Sequence, residues 1–137
     1  MLAPGQERFV SQQRVGHLAT VDEGGQPHVV PVCFAYVGGK FYIPVDLKPK
    51  KGKGLKRLRN IASNPKVALL FHVYEEDWTR LRWIMVQGLA EMVGEGADYF
   101  QALEALTRRY PQYRGLPLVG RPLICISPQR VLEWQWS

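Results

Sequence analysis

Two glycine-centred turns do most to fix what this chain can become. Asp22-Glu23-Gly24-Gly25-Gln26-Pro27 and Gly38-Gly39 each separate two short runs of β-branched and aromatic residues. Consecutive glycines supply the positive φ that tight hairpins require. Residues 17–21, 28–37 and 40–45 therefore read as three successive antiparallel strands. Pro31, near the start of the second, has no N–H for a ladder, which places it at an edge or a bulge. Further along, 66–74 and 82–93 read as strands flanking the acidic tip Glu75-Glu76-Asp77, and 122–136 as a strand interrupted at Pro128. Amphipathic patterns predict a short helix over 6–15, with Phe9 and Val10 as its docking residues, and a second over 97–110. In that second helix Tyr99, Phe100, Leu103 and Leu106 form the apolar face. Six or seven short strands with inserted helices make a small, mainly β, largely antiparallel barrel of α+β type.

A length of 137 residues gives one domain, spanning 1–137, and 46% hydrophobic against 22% charged residues suits a globular chain with a real core. The longest apolar runs, such as Val67 to Phe71, fall far short of the roughly 20 residues that cross a bilayer. The first residues lack the apolar stretch of an export signal, so a cytoplasmic protein is expected. Cys33 and Cys125 sit in apolar runs without Cys-x-x-Cys spacing and read as reduced, buried thiols.

The charge is unevenly placed. Eighteen Lys and Arg against 12 Asp and Glu give a formal +6. Seven of the basic residues (Lys48, Lys50, Lys51, Lys53, Lys56, Arg57 and Arg59) fall within twelve positions that hold no acid, and the rest of the chain nets −1. A helix over 55–62 follows Gly52 and Gly54, with Leu55, Leu58, Ile61 and Ala62 as its apolar stripe and Lys56, Arg57 and Asn60 away from it. It ends before Pro65. Basic side chains thus gather at a helix N-terminus, where free N–H groups and the dipole favour an anion. A charge run is most often a solvated face, but confinement to one loop and helix start suits a compact anion such as a phosphate.

Catalytic signatures are sparse. Ser11, Ser63, Ser127 and Ser137 have no neighbouring His or acid, and no Gly-rich nucleotide loop exists. His17, His28 and His72 lie on strands without metal-ligand spacing and read as ordinary strand residues; no metal site is expected. If the chain is an enzyme, a cofactor must carry the reaction.

The succession Ala19-Thr20-Val21-Asp22 and Gly25 to Val32 resembles the opening hairpin of the pyridoxamine 5′-phosphate oxidase-like split β-barrels. Asp46-Leu47-Lys48-Pro49-Lys50, Leu58-Arg59-Asn60-Ile61 and Asn64 to Leu70 are similar to the phosphate-contacting loop, helix and next strand of that superfamily. Glu76-Asp77-Trp78 and Trp83 to Ala90 resemble the following hairpin of its short-chain branch, which uses the deazaflavin coenzyme F420. In order and spacing these matches run from about residue 10 to 135.

The resemblance implies a homodimer of six-stranded antiparallel split β-barrels with peripheral helices and cofactors at the dimer interface. It implies a cofactor ring against Val30, Pro31 and Val32 and against Pro44, Val45 and Asp46. The phosphate would meet Lys48, Lys50, Lys51, Lys53 and Arg57, while Trp78 and Trp83 would stack on or border the cofactor or else pack the barrel end. The implied activity is hydride transfer between F420 and a small unsaturated or carbonyl substrate; no residue stands out as the proton donor among the candidates Tyr42, Tyr74 and His72. Seven clustered cations exceed what the single phosphate of FMN needs and suit the long anionic tail of F420. The alternatives are an FMN-binding oxidoreductase or flavin reductase of the same fold, a haem-handling member, and a nucleic-acid-binding OB-like barrel. The last needs charge along a groove, which a single basic segment does not supply. Absence of the extended C-terminal segment of the longer oxidases disfavours vitamin B6 oxidation. Trp134 and Trp136, two residues apart on the last strand, are expected at a dimer contact.

Overall fold

The computed structural model describes residues 2–45 and 56–136. Three helices, α1 (Pro4–Ser11), α2 (Lys56–Ser63) and α3 (Ala97–Arg109), accompany seven strands: β1 (Gly16–Val21), β2 (Pro27–Val32), β3 (Ala35–Val37), β4 (Lys40–Pro44), β5 (Lys66–Val73), β6 (Arg82–Val93) and β7 (Leu123–Gln135). They form one antiparallel sheet in the order β2-β1-β5-β6-β7-β4-β3. The first and last strands of that order are consecutive in the chain, so the sheet curls until its two ends meet.

The expected count of six strands is corrected to seven. What reads as one strand over 28–37 breaks at Cys33-Phe34, because the Phe34 amide leaves the ladder and donates to Tyr110 Oη at 3.1 Å. Pro31 lies on β2, an edge of the sheet, where its missing donor costs no ladder bond. Pro128 does not interrupt β7. It pairs with Gly88, while Arg130 pairs with Gln87, so Gln129 is an extra residue accommodated as a bulge. Gly88 is required there, since a Cβ would sit against the Ser127 carbonyl oxygen, inside van der Waals contact.

Alternation along the strands divides the side chains between two faces. Leu18, Phe34, Phe41, Ile43, Leu69, Phe71, Ile84, Val86, Ile124 and Ile126 fill the inside of the curl, joined by Phe9 and Val10 of α1 and Ile61 of α2. On the outside, α3 covers β3, β4 and the start of β7 through Tyr99, Ala102, Leu103 and Leu106 packed on Ala35, Tyr42, Leu123 and Cys125. Among the described residues, no helix covers the remaining outer face. Across it Pro31, His17, Leu70, Met85 and Leu132 stand in one rank, each pairing with the next.

Helix α1 begins earlier and ends sooner than its pattern suggests. Pro4 occupies a first-turn position, where a missing N–H is harmless. The Ala3 amide donates to Gln6 Oε1 at 2.9 Å. Beyond Ser11 the backbone turns to meet α3: Arg109 donates to the carbonyls of Ser11 (2.9 Å) and Gln13, and Tyr110 Oη donates to that of Arg14 at 2.9 Å. Tyr110 thus joins three segments distant in sequence. Tyr110→Phe should leave the Phe34 amide and the Arg14 carbonyl without their partner and lower stability by about 1–3 kcal/mol, read by urea unfolding. Gly88→Ala should cost a similar ~1–3 kcal/mol by overpacking. Wild-type midpoints in both variants would refute this account of the closure.

Candidate functional site

Helix α2 packs on β1, and its contact face includes a polar residue. Asn60, expected away from the apolar stripe, is 1% exposed and donates from Nδ2 to Thr20 Oγ1 at 2.9 Å, while Ala62 is exposed. The helix is rotated so that this buried amide meets the inward hydroxyl of β1, a pairing that removes the cost of burying either group alone. The rotation separates the first two basic residues. Lys56 turns to the β1–β2 hairpin and pairs with Asp22 Oδ2 at 3.3 Å. Arg57 turns into a cleft of about 270 Å³.

That cleft opens where β2 and β4 end. Pro31 and Val32 of β2 line it with Cys33 just beyond, Pro44 of β4 with Val45 just beyond, and Arg57 from α2. Tyr113, Leu116, Leu118 and Arg121 complete it from the segment joining α3 to β7. Among these lining residues there are two guanidinium groups and no carboxylate. The surface is otherwise apolar, so it suits a flat, largely apolar molecule with a negative group at one end.

Of the residues singled out in the sequence, Pro31, Val32, Pro44, Val45 and Arg57 are therefore brought together. Val30 is not among them: it faces inward and packs on the core. Trp83 lies elsewhere, on the outer face of β6 between His72 of β5 and Trp134 of β7. It lines a separate groove of about 650 Å³ with Leu70, His72, Tyr74 and Met85. Trp78 is 56% exposed in a 3-10 turn (Trp78–Arg80). Asp77 caps that turn by accepting from the Thr79 amide at 3.1 Å and its hydroxyl at 2.6 Å. Within one chain neither tryptophan reaches the cleft. Asp46, Lys48, Lys50, Lys51 and Lys53 lie outside the described residues.

Tyr42 is removed from the candidate proton donors. It is 4% exposed beneath α3, and burial, reinforced by Cys125, pushes its hydroxyl up to about 12. Burial also raises the Cys125 thiol. Neither group faces the cleft. His72 and Tyr74 are exposed in the outer groove instead. His17 and His72 approach with ring centroids 5.4 Å apart, but no three of His, Cys, Asp and Glu gather as metal ligands among the described residues.

The cleft residues missed in the sequence, Cys33, Tyr113, Leu116, Leu118 and Arg121, carried little signal. The segment after α3, rich in Pro and Gly, has no periodicity that assigns it to a face.

The family model described as "Pyridoxamine 5′-phosphate oxidase" matches residues 2–135. No curated protein matches the chain by sequence. Among solved structures, a conserved hypothetical protein, Rv2991, from Mycobacterium tuberculosis is similar with a TM-score of 0.77 and 22% identity, covering 98% of this chain and 86% of that one. The haem storage protein HutZ from Vibrio cholerae is similar at TM-score 0.74 and 18% identity, covering 98% and 94%. A FAD-binding protein from Mesorhizobium loti is similar at TM-score 0.72 and 19% identity, covering 97% and 94%. At these identities the likeness is one of fold.

The hairpin beside α2 offers a pH test of the local geometry. Asp22 Oδ1 accepts from the Gln26 and Gly24 amides, each at 2.9 Å, and Oδ2 from Lys56. The Gln26 amide first, then Lys56 and Gly24, hold this carboxyl below its usual 3.8 against the opposing effect of desolvation. A carboxyl depressed in the folded state adds stability above its unfolded value, and that contribution is lost as pH falls through the folded value. Carboxyl titration by NMR should place the Asp22 midpoint below 3.8, and Lys56→Ala should move it upward. A midpoint unmoved by that substitution would dismiss the ion pair.

Proposed function

The chain belongs to the pyridoxamine 5′-phosphate oxidase family, and from that premise we propose that it is an oxidoreductase binding coenzyme F420 at the β2–β4–α2 cleft, with FMN as the alternative. The observation that carries this reading is the cleft itself: apolar ends of two strands beside Arg57, with no carboxylate among the described residues that line it. Those residues fit a flavin-like group. Pro31, Val32, Pro44 and Val45 would hold the ring and exclude water from it, and Arg57 would face its phosphate. The cofactor, once bound, supplies the hydride chemistry. The protein's part is to orient the ring, neutralise the anionic tail and leave an apolar space for a small unsaturated or carbonyl substrate.

Preference for F420 rests on charge. Seven basic residues between 48 and 59 match a tail whose negative charge continues past the phosphate. We place the homodimer contact on the outer face that no helix covers among the described residues, where the rank from Pro31 to Leu132 carries no Lys, Arg, Asp or Glu and Trp134 is 42% exposed. Burying such an apolar face is the ordinary driving force for a permanent dimer.

A second reading, haem binding, is favoured by one feature: His72 stands exposed beside Trp83 in the outer groove, and the similar Vibrio protein is a haem storage protein.

Fluorescence titration with F420 and FMN, and absorbance titration with haem, separates the three. F420 should bind most tightly. Flavin bands in the protein as purified would overturn the preference for F420, and a Soret band lost in His72→Ala would carry the haem reading instead. Replacing Lys50, Lys51 and Lys53 together by Ala should abolish cofactor binding while circular dichroism and dimer mass stay unchanged. Undiminished affinity in that variant would show the anionic tail lies elsewhere.

A further inference from the structure

Arg121 stands out among the partly buried arginines by what its side chain lacks. Arg82 pairs with Glu133 at 3.3 Å and lies over the Phe9 ring. Arg109 donates to Ser11, Gln13 and Tyr110 and lies over Phe34. Among the described residues no carboxylate, carbonyl or hydroxyl accepts from the Arg121 guanidinium, although it is half-buried in the cleft wall. Among the described residues that line the cleft, Arg57 is the other charged group.

The backbone beneath Arg121 is fixed. Tyr99 Oη, from a side chain 2% exposed on α3, donates to the Arg121 carbonyl at 2.6 Å. The Arg121 amide donates to the Leu118 carbonyl at 2.9 Å, closing a turn that Gly120 completes at φ +84°. Leu118 is 4% exposed and Tyr113 packs beside it in the α3 cluster. With Pro122 next to it and β7 starting at Leu123, the backbone that carries this guanidinium is held at the cleft wall.

We propose that Arg121 binds an oxyanion, a carboxylate or a phosphate, on the molecule that fills this cleft, making the segment between α3 and β7 a specificity-determining wall. The planar fork of guanidinium matches both groups bidentately, which an ammonium would not do. The inference rests on the oxidoreductase reading only in taking the occupant to be the cofactor or its substrate.

Calorimetric titration of the wild-type protein, Arg121→Gln and Arg121→Lys with inorganic phosphate, benzoate and benzyl alcohol tests it. The Gln variant should bind both anions at least tenfold more weakly, the Lys variant should recover part of the loss, and benzyl alcohol should bind all three proteins alike. A parallel pair, FMN and riboflavin, identifies the source of the oxyanion. Loss of the preference for FMN over riboflavin in Arg121→Gln assigns it to the cofactor phosphate. An unchanged preference with benzoate binding lost assigns it to a substrate carboxylate. Wild-type anion affinity in Arg121→Gln, or no anion binding by the wild-type protein, overturns the proposal. If the anions bind through Arg121 while F420 and FMN do not bind at all, the anion site stands and the oxidoreductase reading falls.

Discussion

Everything in this molecule depends on a two-residue link. Cys33 and Phe34 join β2 to β3, the two ends of a seven-stranded sheet. Val32 and Ala35 can therefore be no more than about 11 Å apart, the reach of an extended chain over three residues. A sheet of this width has to curl to satisfy that limit. Its natural twist gives the direction, and the phenyl ring of Phe34, 1% exposed and packed on Phe41 and Phe71, fills the inside of the curl. Removing a ring of this kind from a core costs about 3–5 kcal/mol. The Phe34 amide, freed from the ladder by the turn, is held by Tyr110, so α3 takes part in the closure and does more than cover the sheet.

The cleft follows from the same geometry. Where β2 ends at the seam, its last residues face the end of β4, and neither strand continues to cover the other. Strand ends leave backbone groups and proline rings exposed at a place the core cannot fill. Helix α2 brings one arginine to that gap and the segment after α3 brings a second. Among the described residues, no helix covers the outer face of β1, β5, β6 and the far part of β7. The apolar face proposed for a second copy borders the cleft, since Pro31 belongs to both.

Much of this was legible in the residues, for identifiable reasons. Gly24-Gly25 and Gly38-Gly39 marked hairpins because only glycine tolerates the backbone angles there; Gly25, Gly38 and Gly39 all have positive φ. Phe9 and Val10 were recognisable as docking residues from their place on an otherwise polar helix. Pro31, Val32, Pro44, Val45 and Arg57, grouped in the sequence only through the family resemblance, line one cleft. The misses are equally specific. The break at Cys33-Phe34 was hidden because a tyrosine 76 residues away supplies the bond that makes it favourable. Asn60 looked like a surface residue because its partner, Thr20, lies 40 residues earlier. Tyr42 looked available for chemistry because alternation along a strand does not say which face a later helix will cover.

Local physics in the sequence determined where the chain turns, which segments extend and where its surplus charge is concentrated. Each of those depends on backbone angles, side-chain shape and composition over a few neighbouring residues. Only the tertiary structure decided that Arg121 joins Arg57, that Trp83 stands apart from the cleft, and that Lys56 is taken by Asp22. Those are outcomes of strand order and helix rotation, set by contacts between residues tens of positions apart, for which a linear pattern holds no signal.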